Sequence, residues 1–273
     1  MVFHRTALRP SAPRIRFRED MMTLQDSSGP TGKVAVVVGA GSGIGAAAVV
    51  ALAANGWSIA AIDQNLDAAR AVVDAAGDRH AAFRADISRE AEVIEAFAAI
   101  ARTFGRVDGL AACAGVSDST PFLDLDADTF ARMFAINATG TFLAMREAVK
   151  LMPDGGRICT VSSVAGLRGG GVFGTAAYAA SKGAIIALTK TAARTLAPRQ
   201  ITVNCLVPGP VQTPMLDAFW GDEAQRRRVE GMIPLGRPGR AAEVASAITW
   251  MFSPEAAFLT GSTVVVDGGM SMY

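Results

Sequence analysis

Between Lys33 and Val266, short apolar runs alternate with helix-patterned stretches, and this alternation restricts the fold more than any other feature of the 273-residue chain. Residues 34–38 form an unbroken Val/Ala run, as a parallel strand buried on both faces requires. An Ala-rich stretch over 46–55 reads as a helix, with Gly56 placed where a left-handed backbone closes its last turn. The pair of patterns then recurs. Strands are expected over 58–62, 81–85, 107–113, 156–162, 201–207 and 263–266. Helices are expected over 66–76, 90–104, 126–151, 178–197 and 241–252, and in the second of these Val93, Ile94, Phe97 and Ile100 make an apolar stripe at helical spacing. Repeated strand–helix alternation with no break in composition over 31–273 predicts one doubly wound α/β domain built on a seven-stranded parallel sheet.

The first 30 residues differ. Arg5, Arg9, Arg14, Arg16 and Arg18 are interspersed with Pro10 and Pro13 and no period persists, so residues 1–30 read as a disordered Arg/Pro-rich extension. The rest of the composition mainly excludes. With 51% hydrophobic and 19% charged residues the chain can bury a large core, and 26 basic against 25 acidic side chains give no global attraction to nucleic acid. Cys113, Cys159 and Cys205 each lie in an apolar strand-like run and read as buried free thiols of a reducing compartment, with a cytoplasmic location expected and no metal site. His4 and His80 are the only histidines, and neither is placed to serve as the base of a Ser-His-Asp triad. No apolar run reaches the ~20 residues that span a membrane.

Two clusters carry the chemistry, and both fall after strands, where ligands of doubly wound folds bind. Gly39, Gly43 and Gly45 follow the first strand and open the first helix, so that the backbone can approach a pyrophosphate whose charge meets the helix N-terminus. Asp63, 18 residues beyond Gly45 at the end of the second strand, is placed to accept hydrogen bonds from both ribose hydroxyls and to repel a 2′-phosphate, which favours NAD over NADP. The second cluster is Ser162, Ser163, Tyr178 and Lys182. Tyr178 and Lys182 are four apart and share a helix face. A nearby ammonium favours the phenolate, which suits the tyrosine to acid/base work.

With these motifs in order, the chain resembles the short-chain dehydrogenase/reductase family over about residues 32–270. The signatures are Gly39, Gly43 and Gly45; Asn137 within Phe134-Ala-Ile-Asn-Ala-Thr-Gly140; Ser163 followed by Val-Ala-Gly; Tyr178 with Lys182; and the Pro208-Gly209 turn. The resemblance implies a Rossmann-like fold and hydride transfer between a nicotinamide and a secondary alcohol or ketone. Tyr178 is then the acid/base, Lys182 its electrostatic partner and ribose ligand, Ser163 the holder of the substrate oxygen, and Asn137 a support for a water-linked proton path. It also implies a dinucleotide held by Gly39, Ser42, Gly43, Ile44, Gly45, Asp63, Asp86, Ile87, Gly115, Pro208, Gly209, Val211 and Thr213 together with Tyr178 and Lys182, and a homotetramer. Substrate contacts are expected from Ser117, Phe173, Met215 and Trp220, with the apolar side chains after Pro214 suited either to a small or alicyclic apolar body or simply to the packing of a helix. Arg226, Arg227 and Arg228 allow either attraction of a phosphorylated tail or a solvated helix face, and Asp118 either a substrate contact or a turn.

Three features depart from the family pattern. Val38 replaces a threonine, Ala112 and Cys113 replace two asparagines ahead of Ala114 and Gly115, and the interval from Ser163 to Tyr178 is long, with Gly169, Gly170 and Gly171 inside it. An NADPH-dependent 3-oxoacyl or related carbonyl reductase is the second reading, opposed by Asp63. A dinucleotide sensor without turnover is the third, opposed by the intact Ser163, Tyr178 and Lys182 set.

Overall fold

A computed structural model describes residues 32–170, 175–217 and 223–272. The extension expected to be disordered over 1–30 therefore lies outside the described residues, as do Phe173 and Trp220. In chain order the elements are β1 Val34–Val38, α1 Gly43–Ala54, β2 Ser58–Asp63, α2 Leu66–Ala76, β3 His80–Arg84, α3 Glu90–Phe104 and β4 Gly109–Ala112. Then come α4 Ala127–Phe134, a π-helical turn Ala135–Thr139, α5 Gly140–Leu151, β5 Arg157–Val161, α6 Val164–Arg168 and α7 Ala176–Leu196. The last part holds β6 Thr202–Pro208, β7 Val211–Gln212, α8 Pro214–Asp217, α9 Glu223–Glu230, β8 Gly239–Arg240, α10 Ala241–Phe252 and β9 Thr263–Val266.

Seven strands pair in the order β3-β2-β1-β4-β5-β6-β9, every pair parallel. Side chains alternate across a strand, so the unbroken apolar run of β1 supplies both faces. Ala35 and Val37 join Leu52 of α1 and Ile248 of α10 in one core. Val36 and Val38 join Phe97 of α3, Leu143 of α5 and Ala193 of α7 in the other. The order in which strands are added reverses between β1 and β4, the switch point at which ligands of doubly wound folds bind.

The expected long helix over 126–151 is interrupted at its middle. Residues Ala135–Thr139 take the wider π spacing, and Asn137, at the centre of that turn, is fully buried. Gly140 follows because a Cβ there would stand 2.7 Å from Ile87 Cδ1, so the turn lets α5 lie against the loop after β3. The first helix begins at Gly43 rather than at 46, which makes the glycine turn its own first turn. The short elements α6, α8, β7 and β8 show no period in the sequence because none is long enough to have one. No helix of the described residues is long and apolar enough to cross a membrane.

Candidate active site

The glycine turn is shaped by contacts that leave no room for side chains. Gly39 has φ +78° and a Cβ there would lie 2.6 Å from Ala114 Cα, so the loops after β1 and β4 touch through it. A Cβ on Gly45 would lie 2.0 Å from the Gly39 carbonyl oxygen, which fixes how closely α1 follows the strand. Ser42 precedes α1 with extended backbone and makes no side-chain cap, leaving the first-turn amides of Gly43, Ile44 and Gly45 facing outward without one. Asp63 closes β2 and braces the turn, its Oδ2 accepting from Gly41 N at 2.9 Å and its Oδ1 from Asn65 N at 2.9 Å.

A cavity of about 410 Å³ opens over this turn. Its walls include Gly39, Ser42, Gly43, Ile44, Gly45, Asp63, Asp86, Ile87, Gly115 and Thr213. Asp86 Oδ1 accepts from Ser88 N at 2.9 Å and Ser88 Oγ at 2.7 Å, and that hydroxyl contact is the main reason its carboxyl sits below the usual range. The glycine cradle, the uncapped helix start and the carboxylate of Asp63 together fit an adenine dinucleotide. Arg132 of α4 is on the wall too, whereas the end of β2 presents Asp63 and Gln64.

A second cavity of about 320 Å³ shares Ile44, Cys113, Gly115, Thr213 and Met215 with the first. Ser117, Ser163, Tyr178, Lys182, Pro208, Gly209 and Val211 complete much of its lining. Ser163 and Tyr178 are both largely buried and stand on the same cavity wall. Burial pushes the Tyr178 phenol up, and the nearby Ser163 hydroxyl works against that rise. Lys182 Nζ donates to Val161 O at 3.0 Å and lies 5.9 Å from the centre of the Tyr178 ring. Burial brings its ammonium down to about 8, so the group is still mostly charged at neutral pH. Both serines line the cavity and are told apart by their partners: Ser162 Oγ donates to the Lys182 carbonyl at 2.7 Å, while Ser163 Oγ accepts from Ala165 N at 3.2 Å.

Asn137 stands behind this wall and not in it. Its Nδ2 donates to Val116 O and to Ser181 Oγ, each at 3.0 Å, and its Oδ1 accepts from Val116 N at 2.9 Å. Gly115 is the point where the amide and ammonium groups meet the loop: a Cβ there would stand 2.9 Å from Lys182 Nζ and 3.2 Å from Asn137 Oδ1. Cys113 occupies the wall where the family pattern has an asparagine, and burial drives its thiol up to about 12, which keeps it neutral beside Lys182. The hydrogen bonds made by Ser181 and by Thr175 escaped the sequence reading. Only Thr175 left a signal, a hydroxyl residue just ahead of a helix.

The family model described as Enoyl-(Acyl carrier protein) reductase matches residues 39–271. The chain belongs to the short-chain dehydrogenase/reductase family. It is an oxidoreductase of CH–OH groups and, as in this family, takes a nicotinamide dinucleotide. It is 37% identical over 246 residues to a 2,5-dichloro-2,5-cyclohexadiene-1,4-diol dehydrogenase of Sphingobium indicum, covering 88% of this chain and 98% of that one. It is 36% identical to a (3R)-3-hydroxyacyl-CoA dehydrogenase of Mus musculus, over 88% of this chain and 96% of the other. Among solved structures, a blue fluorescent protein from a metagenomic library in complex with NADPH superposes with a TM-score of 0.83 at 34% identity, covering 88% of this chain and 98% of that one. In this member of the short-chain dehydrogenase/reductase family, the glycine turn and Tyr178 thus line two adjoining cavities joined by shared walls.

Proposed function

We propose that the protein is an NAD-dependent dehydrogenase that interconverts a secondary alcohol and its ketone on a compact, alicyclic apolar substrate. The observation that carries this reading is the composition of the second cavity. There the Tyr178 and Ser163 hydroxyls face Val164, Pro210, Val211, Met215 and Leu216, and Lys182 is the one cation among the described lining residues. Such a wall orients one oxygen and accepts an uncharged body around it. The similarity to a chlorinated cyclohexadiene-diol dehydrogenase supports a cyclic substrate.

The bound nicotinamide supplies the hydride chemistry. The chain's own residues manage position and one proton. Tyr178 Oη takes the hydroxyl proton in oxidation and returns it in reduction, Ser163 Oγ donates to the substrate oxygen, and the Lys182 ammonium offsets the burial that disfavours the phenolate. Asn137 keeps the loop at Val116 against α7 while supporting a water path behind Lys182. The amides at the start of α1, with Ser42, hold the pyrophosphate. Asp63 receives the adenosine ribose and Asp86 and Ile87 border the adenine. Pro208, Gly209, Val211 and Thr213 line the nicotinamide end.

A second reading, an NADPH-linked reductase of 3-oxoacyl chains, draws support from the NADPH-bound neighbour and from the hydroxyacyl-CoA relative. Asp63 weighs against the 2′-phosphate. Arg226 pairs with Glu230 at 2.9 Å and Arg227 with Glu223 at 3.6 Å, so much of the basic run on α9 is engaged within its own helix. The test is absorbance of the reduced nicotinamide with NAD or NADP and a panel of cyclic and linear secondary alcohols, run beside Tyr178→Phe. Turnover with NAD and a cyclic alcohol, reduced at least ~100-fold in Tyr178→Phe while NAD still binds, is expected. Turnover confined to NADP and 3-oxoacyl thioesters would establish the second reading instead.

A further inference from the structure

Tyr178 lies between two tethers that join α7 to the loop after β4. Residues 175, 178 and 181 are three apart and lie along one helix face. At the far tether Asn137 grips Val116 and Ser181, and Ser181 Oγ in turn donates to the Tyr178 carbonyl at 2.8 Å. At the near tether Thr175 heads α7. A threonine in that position usually accepts from an amide of the first turn. Here it makes no such cap, and its Oγ1 donates instead to Asp118 Oδ1 at 3.1 Å, while its backbone N donates to Asp118 O at 3.2 Å. The carboxylate is fixed from its own side as well, by Thr120 N at 3.1 Å and Thr120 Oγ1 at 3.0 Å. Ser117, Asp118 and Ser119 stand on the same cavity wall as Tyr178.

We infer that Asp118 is a positioning residue: by latching the substrate wall to Thr175 it sets where a bound alcohol lies relative to Tyr178. The inference rests on the acid/base reading of Tyr178 for its catalytic consequence, though not for the latch itself. The loop could follow many paths between Gly115 and α4, since its remaining residues carry no regular secondary structure. The charge-assisted bond to Thr175 selects the path that faces the phenol, because a hydroxyl donating to a carboxylate is stronger than one donating to a neutral acceptor. Displacement of a positioned substrate by about 1 Å can lower the rate ~100-fold.

The test compares Asp118→Ala, Asp118→Asn, Thr175→Val, Thr175→Ser and the Asp118→Ala/Thr175→Val double variant, using NAD and the alcohol the unaltered protein oxidises best in the panel above. Asp118→Ala and Thr175→Val are each expected to lower kcat ~10- to 100-fold with KM for NAD changed less than about twofold. The double variant is expected to be no slower than the slower single one, because the bond from Thr175 Oγ1 to the Asp118 carboxylate is lost in all three. Asp118→Asn and Thr175→Ser keep the acceptor and the donor and are expected to retain activity within about threefold. Amide exchange reads the latch without any substrate: the Thr175 and Ala179 amides, bonded to Asp118 O and Thr175 O, should exchange at least ~10-fold faster in Asp118→Ala and near normally in Asp118→Asn. Unchanged exchange would sink the latch, and faster exchange with normal kcat would sink its positioning role. Multiplying losses in the double variant would do the same. Tyr178→Phe run alongside separates the two claims, since full turnover in that variant overturns the acid/base reading and leaves the exchange result standing.

Discussion

At the scale of single residues, the site is a contest between burial and charge. Tyr178 is raised by burial, Lys182 is lowered to about 8 by burial, and Cys113 is raised to about 12, so the pocket pushes every one of these groups toward its neutral form. The ammonium of Lys182 survives near neutral pH because its shift stops short of 7, and its bond to the Val161 carbonyl holds it in the wall. Asp63 lines the cavity at the other end and has a double duty. Its carboxylate braces the Gly41 amide and is the group proposed to meet the ribose. Asp63→Ala is therefore expected to shift the ratio of kcat/KM for NADP over NAD by about tenfold or more, equivalent to ~1.4 kcal/mol. Initial rates with each cofactor check it, and an unchanged ratio would take the specificity away from Asp63.

Helices and strands decide where these groups stand. Tyr178, Lys182, Thr175 and Ser181 come from α7 and its cap, and the helical repeat alone puts the first two on one side. The partners they meet come from elements distant in the chain: Ser163 from the turn after β5, Asn137 from the π turn between α4 and α5, Val116 and Asp118 from the loop after β4. Close packing of α1 on its own strand turn is the tightest of these joints. Gly45→Ala would set a Cβ 2.0 Å from the Gly39 carbonyl oxygen, against backbone that has no side chain to move aside. An overpacked joint of this kind costs about 1–3 kcal/mol. The expected result is a lower thermal midpoint and NAD binding weakened at least ~10-fold by calorimetry, with Gly105→Ala, where a Cβ meets nothing within 4 Å, as a control for the backbone alone. That control carries its own strain, because Gly105 has φ +75°, and so should lose stability without losing affinity.

For the molecule as a whole, the sheet order brings the loops after β1 and β4 together where the strand order reverses, and the two adjoining cavities there are lined by residues spread over 38–216. Several large apolar side chains remain exposed away from it, among them Phe130 and Phe142 on α4 and α5, Trp250 on α10 and Val265 on β9. The homotetramer that the family resemblance implies would cover such surfaces, and light scattering at micromolar concentration is expected to give about four times the 28.3 kDa chain mass. A monomer at that concentration would dismiss the assembly. The sequence by itself determined the alternation of strands and helices, the boundaries of α3, α10 and β9, the glycine turn, Asp63 and the shared face of Tyr178 and Lys182, because each of these depends on spacing within one stretch of chain. What it could not decide was how partners far apart in the chain meet. Ser162 and Ser163 are adjacent in sequence, and only the docking of α7 on β5 ties the Ser162 hydroxyl to the Lys182 carbonyl while that of Ser163 meets the Ala165 amide. Asn137, expected to support a water-linked proton path, stands behind the wall, and Asp118, which the sequence left between a substrate contact and a turn, reaches Thr175, 57 positions on. Local propensity fixes which elements form. The packing of one element on another, which no local pattern encodes, fixes which side chains share a site.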